Sequence, residues 1–239
     1  MGVYSGIIAG IQISKNKQGK FTGLLPTTVQ VNMQSLSGNT ALMEASEKNN
    51  VKLAAFLINQ GANLDMQNYK NRTALLIAAE KGNLEVTKAL IDAGAKRDIQ
   101  TQSGWTALMF AAKQNNFRMV QILIRGGAGI DIQDNSGWTA LMVASRANHL
   151  DVVQTLIGAG AQLDIQSHRA GTTALMVAAQ RNNVEVVKAL VRGGANVDVK
   201  NKMEKTALEL ATDNDHKQVS LALKIYRDSR FIHSSHFNI

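Results

Sequence analysis

Residues 101–133 read TQSGWTALMFAAKQNNFRMVQILIRGGAGIDIQ, and residues 134–166 read DNSGWTALMVASRANHLDVVQTLIGAGAQLDIQ. The second stretch repeats the pattern of the first. Working outward, Thr-Ala-Leu recurs at Thr40, Thr73, Thr106, Thr139, Thr173 and Thr206, with spacings of 33, 33, 33, 34 and 33 residues. An alanine follows each leucine by three residues, at Ala45, Ala78, Ala111, Ala144, Ala178 and Ala211. A Gly-Ala pair closes five copies, beginning at Gly61, Gly94, Gly127, Gly160 and Gly194. A register held through six copies marks a repeat architecture, in which each unit buries its apolar face against its neighbours.

Each unit has a local physical reading. The threonine hydroxyl can accept a hydrogen bond from a backbone N–H at a helix start, and Ala and Leu are strong helix formers. The third unit is expected to carry a helix from Thr106 to about Gln114, packing through Leu108, Ala111 and Ala112. A polar pair such as Asn115-Asn116 or Asn182-Asn183 then turns the chain. A second helix follows, as in 184–191, with an acid near its start to suit the helix dipole. The next glycine supplies a left-handed cap. Residues 98–105 have the extended, glycine-bearing character of a hairpin reaching to the next threonine. The order is hairpin, helix, turn, helix.

This pattern resembles the ankyrin repeat family over roughly residues 32–226, and the resemblance implies an all-α repeat solenoid of six units with β-hairpin fingers. The expected units are about 35–67, 68–100, 101–133, 134–166, 167–200 and 201–228. The family's Thr-Pro-Leu-His stands here as Thr-Ala-Leu-Met in four copies, ending at Met43, Met109, Met142 and Met176. Methionine exchanges a polar link between repeats for adaptable apolar packing. The sixth unit reads as a polar cover: Glu209 replaces Met or Leu, Ser220 and Lys224 occupy apolar positions, and no Gly-Ala pair closes it. Thr206 and Glu209 have capping-box spacing. Residues 229–239 are expected to be a loose tail. Residues 1–31 match no repeat; Val3, Ile7, Ile11 and Ile13 alternate as in a strand, which suggests an extended or hairpin segment capping the first unit.

Composition narrows the function. The chain has 239 residues, 45% of them apolar, and no cysteine, which excludes disulfides, thiol nucleophiles and cysteine metal sites. The apolar stretch near the N-terminus has no Lys or Arg before it and no run spans a membrane, so a soluble, cytoplasmic protein is expected, with export left open. The net charge is +8, but acids are interspersed almost everywhere, which suits acidic patches on a partner better than a phosphate backbone. The five histidines lack metal-ligand spacing and are expected to be solvated. Gly126-Gly127-Ala128-Gly129 lacks the Lys-Ser/Thr of a phosphate loop. Asp65, Asp98, Asp131, Asp164 and Asp198 recur at repeat spacing, which points to turns and away from catalysis. No enzyme and no cofactor are expected.

What differs between units is the candidate binding surface. The finger tips include Leu36, Tyr69, Lys70 and Arg169. The residue before each threonine reads Asn39, Arg72, Trp105, Trp138, Thr172 and Lys205. The edge of the first helix includes Glu47, Glu80, Lys81, Lys113, Gln114, Arg146, Gln180 and Arg181. In ankyrin relatives these positions line the concave groove. Trp105 and Trp138 are the only tryptophans; they read either as interface anchors or as aromatic packing on the finger stem. The expected function is protein–protein recognition, as a scaffold, adaptor or inhibitor, by a monomer that binds an acidic or acidic-hydrophobic protein surface. A nucleic-acid-associated basic protein, a microbial effector or antitoxin-like inhibitor, and a fragment of an enzyme are the alternatives.

Overall fold

Each threonine-led triplet starts a short helix. The computed structural model describes the backbone of residues 5–8, 11–15, 21–22 and 31–234, with side chains over 31–228. The first helices of the repeats are α1 (Ala41–Glu47), α3 (Ala74–Lys81), α5 (Ala107–Lys113), α7 (Ala140–Arg146), α9 (Ala174–Gln180) and α11 (Ala207–Asp213). In all six, the threonine Oγ1 accepts the backbone N–H three residues on, at 3.2–3.4 Å. Asn49, Asn115, Asn148 and Asn182 make the inter-helix turns at φ between 51° and 60°, and Gly82 does so at 76°. Asn tolerates that left-handed region better than other side chains do. The second helices are α2 (Val51–Asn59), α4 (Leu84–Asp92), α6 (Phe117–Arg125), α8 (Leu150–Gly158), α10 (Val184–Arg192) and α12 (Lys217–Ser234).

The described residues fall into two compact units, those up to 111 together with 121–129, and 112–120 together with 130–234. In the first, α1 packs on α3 and α2 on α4; in the second, α7 packs on α9, α9 on α11, α8 on α10 and α10 on α12. The first helices are buried nearly all round, as in α3, where Ala74 to Ala79 are at most 2% exposed. Second helices bury one stripe, such as Val186, Val187, Leu190 and Val191 of α10. The four methionines of Thr-Ala-Leu-Met are each 1% exposed, packed where the family's histidine would stand.

Polar links join consecutive repeats at three levels. Four of the five periodic aspartates do more than shape turns: each staples its loop to the next repeat. Asp65 accepts the N–H of Lys96, Asp98 that of Gly129, Asp131 that of Gln162 and Asp164 that of Asn196, at 2.8–3.0 Å. Asn32 does the same for Asn63 at 2.7 Å. At the base of the second helices, Asn83 and Asn183 donate to the carbonyls of Ser46 and Ser145. His149 and His216 occupy the same position and link through Nδ1 to the carbonyls of Ala112 and Ala179, each at 2.9 Å. These two histidines are therefore half-buried ties, contrary to the expectation of solvated rings. In the fingers, Gln133 donates to the carbonyls of Gly137 and Gln166, and Gln166 to those of Gly171 and Lys200.

At the front, β1 (Ser5–Ile8) pairs antiparallel with β2 (Ile11–Lys15), and β2 with β3 (Phe21–Thr22), so Ile8 faces Ile11 and Lys15 faces Phe21 in the register. At the far end, α12 runs to Ser234, where a tail from residue 229 was expected. With neither proline nor the Gly-Ala pair to stop it, the last helix continues past the point where the other repeats close. The capping box forms: the Glu209 carboxylate accepts both the backbone N–H and the hydroxyl of Thr206. His233 lies beyond the described side chains, and His236 and Pro26 lie outside the described residues.

Two outcomes test these links. Replacing Asp131 or Asp164 with Ala should lower the unfolding free energy by about 1 kcal/mol each, seen as a lower urea midpoint; unaltered midpoints would make the staples incidental. The Thr206 hydrogen bonds hold the Glu209 carboxyl below its ordinary value of 4.5. A carboxyl lowered by folding adds stability above its unfolded pKa and loses it as pH falls through the folded value. Glu209→Ala should therefore melt below wild type at neutral pH, with the gap shrinking in acid. A gap that is constant with pH would contradict the assignment.

Candidate functional site

The residue before each capping threonine stands eight positions ahead of a residue in the last turn of the first helix, and in the second, fourth and sixth repeats these two positions meet. In the second repeat Arg72 pairs with Glu80 at 2.7 Å, and in the sixth Lys205 pairs with Asp213. Both pairs neutralise themselves. In the fourth repeat the same two positions hold Trp138 and Arg146, and the guanidinium sits 5.5 Å from the ring centroid. A cation over an aromatic face is attracted by about 0.5–1 kcal/mol at an exposed site, yet it keeps its full positive charge.

Trp138 and Arg146 open onto a groove of about 670 Å³ in the second compact unit. Its walls are the fingers of repeats four, five and six, and its floor is the face of α7 and α9. Arg146, Arg169 and Arg181 line it, together with His168, and no Asp or Glu does. Apolar surface comes from Trp138, Val177 and Met203. The extra residue in the fifth finger shapes one wall. That turn closes from the N–H of Ser167 to the carbonyl of Thr172, five residues on, whereas the fourth closes four residues on, from Asp134 to Trp138. Longer reach brings His168, Arg169 and Ala170 to the groove. Fingers four and five touch closely. The His168 N–H donates to the Ser136 carbonyl at 2.9 Å. Gly137, at φ 80°, passes so near that a Cβ would collide with the backbone and ring of His168.

Sequence analysis placed Trp138, Arg146, Arg169, Thr172, Gln180 and Arg181 on a binding surface, and the structure brings these six to one groove. Thr172 is 7% exposed, and its hydroxyl is engaged with Ser167 Oγ at 2.9 Å, so it shapes the finger more than it offers a contact. Of the others, Lys113 and Gln114 belong to the second compact unit but do not line the groove, and the rest sit in the first unit. Leu36 and Tyr69 are exposed tips, at 101% and 69%, and Lys70 is exposed beside Tyr69. Asn39 accepts the Asn68 amide at 2.8 Å. Glu47 pairs with Lys81 at 3.2 Å. Lys113 and Gln114 are exposed. Trp105 packs its ring against Phe110, with centroids 5.1 Å apart and planes tilted by 52°.

Sequence reasoning missed Asn201 and Val177 as groove residues; Met203 stood among the variable finger tips, and the extra residue near Ser167-His168 read as a longer fifth finger that either reaches a partner or is a neutral insertion. The one available signal was the 34-residue spacing that marks the longer fifth finger. Among the described residues, no cluster of His, Cys, Asp and Glu could hold a metal, and no helix is long and apolar enough to cross a membrane.

A fold of paired helices with stapled loops, carrying its exposed variety on fingers and first helices, defines an interaction-type repeat protein. The family model for ankyrin repeats matches residues 13–101, 75–167 and 156–229, and the chain belongs to the ankyrin repeat family. No curated protein matches it. Among solved structures it is similar to the human ASB11 ankyrin repeat domain, with 28% identity over 82% of this chain and 86% of that one, at a TM-score of 0.71. The ankyrin repeat domain of Bcl-3, a member of the IkappaB protein family, matches with 26% identity over 80% and 87%, at 0.75. The ankyrin repeat protein EF0377 shares the fold at 24% identity over 77% and 96%, at 0.73.

The two tryptophans should separate experimentally. Trp105→Ala is expected to cost about 2 kcal/mol, below the range for fully buried aromatics, because its ring is half-buried against Phe110. An unchanged thermal midpoint for that variant would show that the stacking adds nothing.

Proposed function

We propose that this protein recognises another protein through the finger and first-helix surface of repeats four to six, as a scaffold, adaptor or inhibitor without catalysis of its own. Ankyrin repeat domains generally mediate protein–protein interactions, which supports the reading at family level. The observation that carries it here is the groove beside Trp138 and Arg146, where a half-buried aromatic anchor and several exposed arginines line one surface. Trp and Arg are the residue types that dominate binding hot spots. A groove held by hydrogen-bonded fingers is already formed before binding, which reduces the ordering cost. Its positive charge favours a partner with an acidic or acidic-hydrophobic surface. One chain carries the whole groove, so a monomer suffices.

Trp138→Ala is the test. Affinity capture with the wild type and with this variant should show partner proteins retained by the first and lost from the second. The variant's melting temperature should fall no further than that of Trp105→Ala, whose ring is equally half-buried. Equal capture by both would overturn the proposal, and so would a large fall in stability with capture unaltered.

A further inference from the structure

Asn201 and its counterparts show how the groove differs from the rest of the fingers. Asn68, at the matching place in the second repeat, uses its side-chain oxygen to accept the N–H groups of Lys70 and Arg72, and its amide donates to Asn39. Asn201 keeps the first half of this arrangement, accepting from Met203 and Lys205 at 2.9 and 3.0 Å. The second half is missing. The residue that would receive the amide is Thr172, whose hydroxyl is engaged with Ser167. The Asn201 amide nitrogen is buried without an acceptor, and the residue lines the groove at 3% exposure. A buried donor without a partner is costly, so this site gains from an incoming oxygen. Arg146, Arg169 and Arg181 add positive charge around it, and no carboxylate lines the same walls.

We propose that the groove takes an acidic side chain of an extended peptide segment, its carboxylate drawn to Arg181, Arg146 and the Asn201 amide, with an apolar neighbour on Trp138 and Met203. This deepens, and rests on, the protein-recognition reading above. Alternation explains the fit: in an extended strand, successive side chains point to opposite faces, so residues two apart enter the groove together. A planar carboxylate matches the fork of an arginine. Nucleic acid fits less well, because beside the groove Lys200 and Lys205 are paired with Glu204 and Asp213, which interrupts the run of cations that a phosphate track uses.

Asn201→Asp makes a clean test. Asp134 already fills the matching place in the fourth finger and accepts from Ser136 and Trp138 at 2.8 Å. The turn therefore tolerates Asp, while the donor disappears and a negative charge arrives. A display library of random peptides, fused through their C-terminal ends, is selected on the wild type and counter-selected on Trp138→Ala. Binding of the selected peptides to wild type, Asn201→Asp and Arg181→Gln is then measured by fluorescence anisotropy. Supporting results are enrichment of Asp or Glu spaced two residues from an apolar side chain, and Kd values weakened about tenfold or more by each variant, with melting temperature held. Neutral peptides that need Trp138 but ignore both variants would overturn this inference and leave the protein-recognition reading intact. Enrichment only in a parallel library with free C-terminal carboxyls would overturn the side-chain source. No Trp138-dependent peptide, or tighter binding of single-stranded DNA than of any peptide, would overturn both.

Discussion

Everything in this fold depends on the fact that no repeat can stand alone. Its helices run to seven to nine residues before the last one, too short to be stable in water by themselves. Each therefore owes its existence to the apolar faces of its neighbours, and α3 or α9 is buried almost completely because packed elements surround it. The small alanines of the Thr-Ala-Leu pattern permit this close approach. Apolar burial is not directional, however, and leaves the register between layers loosely defined. The Asp-to-backbone staples, the ties from the second-helix caps and the glutamine clasps supply that direction, and each joins residues about one repeat apart.

That division of labour frees the finger tips and helix edges to differ. The positions that bind the layers recur because the geometry recurs. The positions eight apart, ahead of the threonine and at the helix end, are under no such constraint. Two repeats use them for an ion pair and one for Trp138 with Arg146. A single exchange of a self-neutralising pair for an aromatic–cation pair turns a bland stretch of surface into a charged and partly apolar one. The longer fifth finger then adds His168 and Arg169 to the same groove. Local sequence changes on an unaltered scaffold thus make the site.

The fold was legible because its signals are local. Threonine caps, alanine spacing and closing glycines act within four residues of themselves, and all six caps form where the triplets stand. The inter-repeat polar links were not legible in the same way. An aspartate that shapes a turn and one that staples the next repeat look alike when their partners lie about 31 residues away. Histidine in the second-helix cap was misread for a related reason: its role is inherited from the asparagines at the same position in other repeats, not from its own chemistry. The extent of α12 escaped because a missing stop signal is weaker than a present one. Of the groove, the tryptophan and the arginines were visible as variable positions. Asn201 was not, since its orphan amide arises only from the exchange of Asn39's counterpart for Thr172.

The chain contains two tryptophans, so its proton–nitrogen spectrum carries two indole signals, one for Trp105 and one for Trp138. Following both while a groove-selected acidic peptide is titrated tests the central claim most directly. The account predicts that the Trp138 signal moves with saturation while the Trp105 signal, half-buried against Phe110 and outside the groove, stays in place. Movement of Trp105 alone, or of neither while the peptide binds, would contradict it.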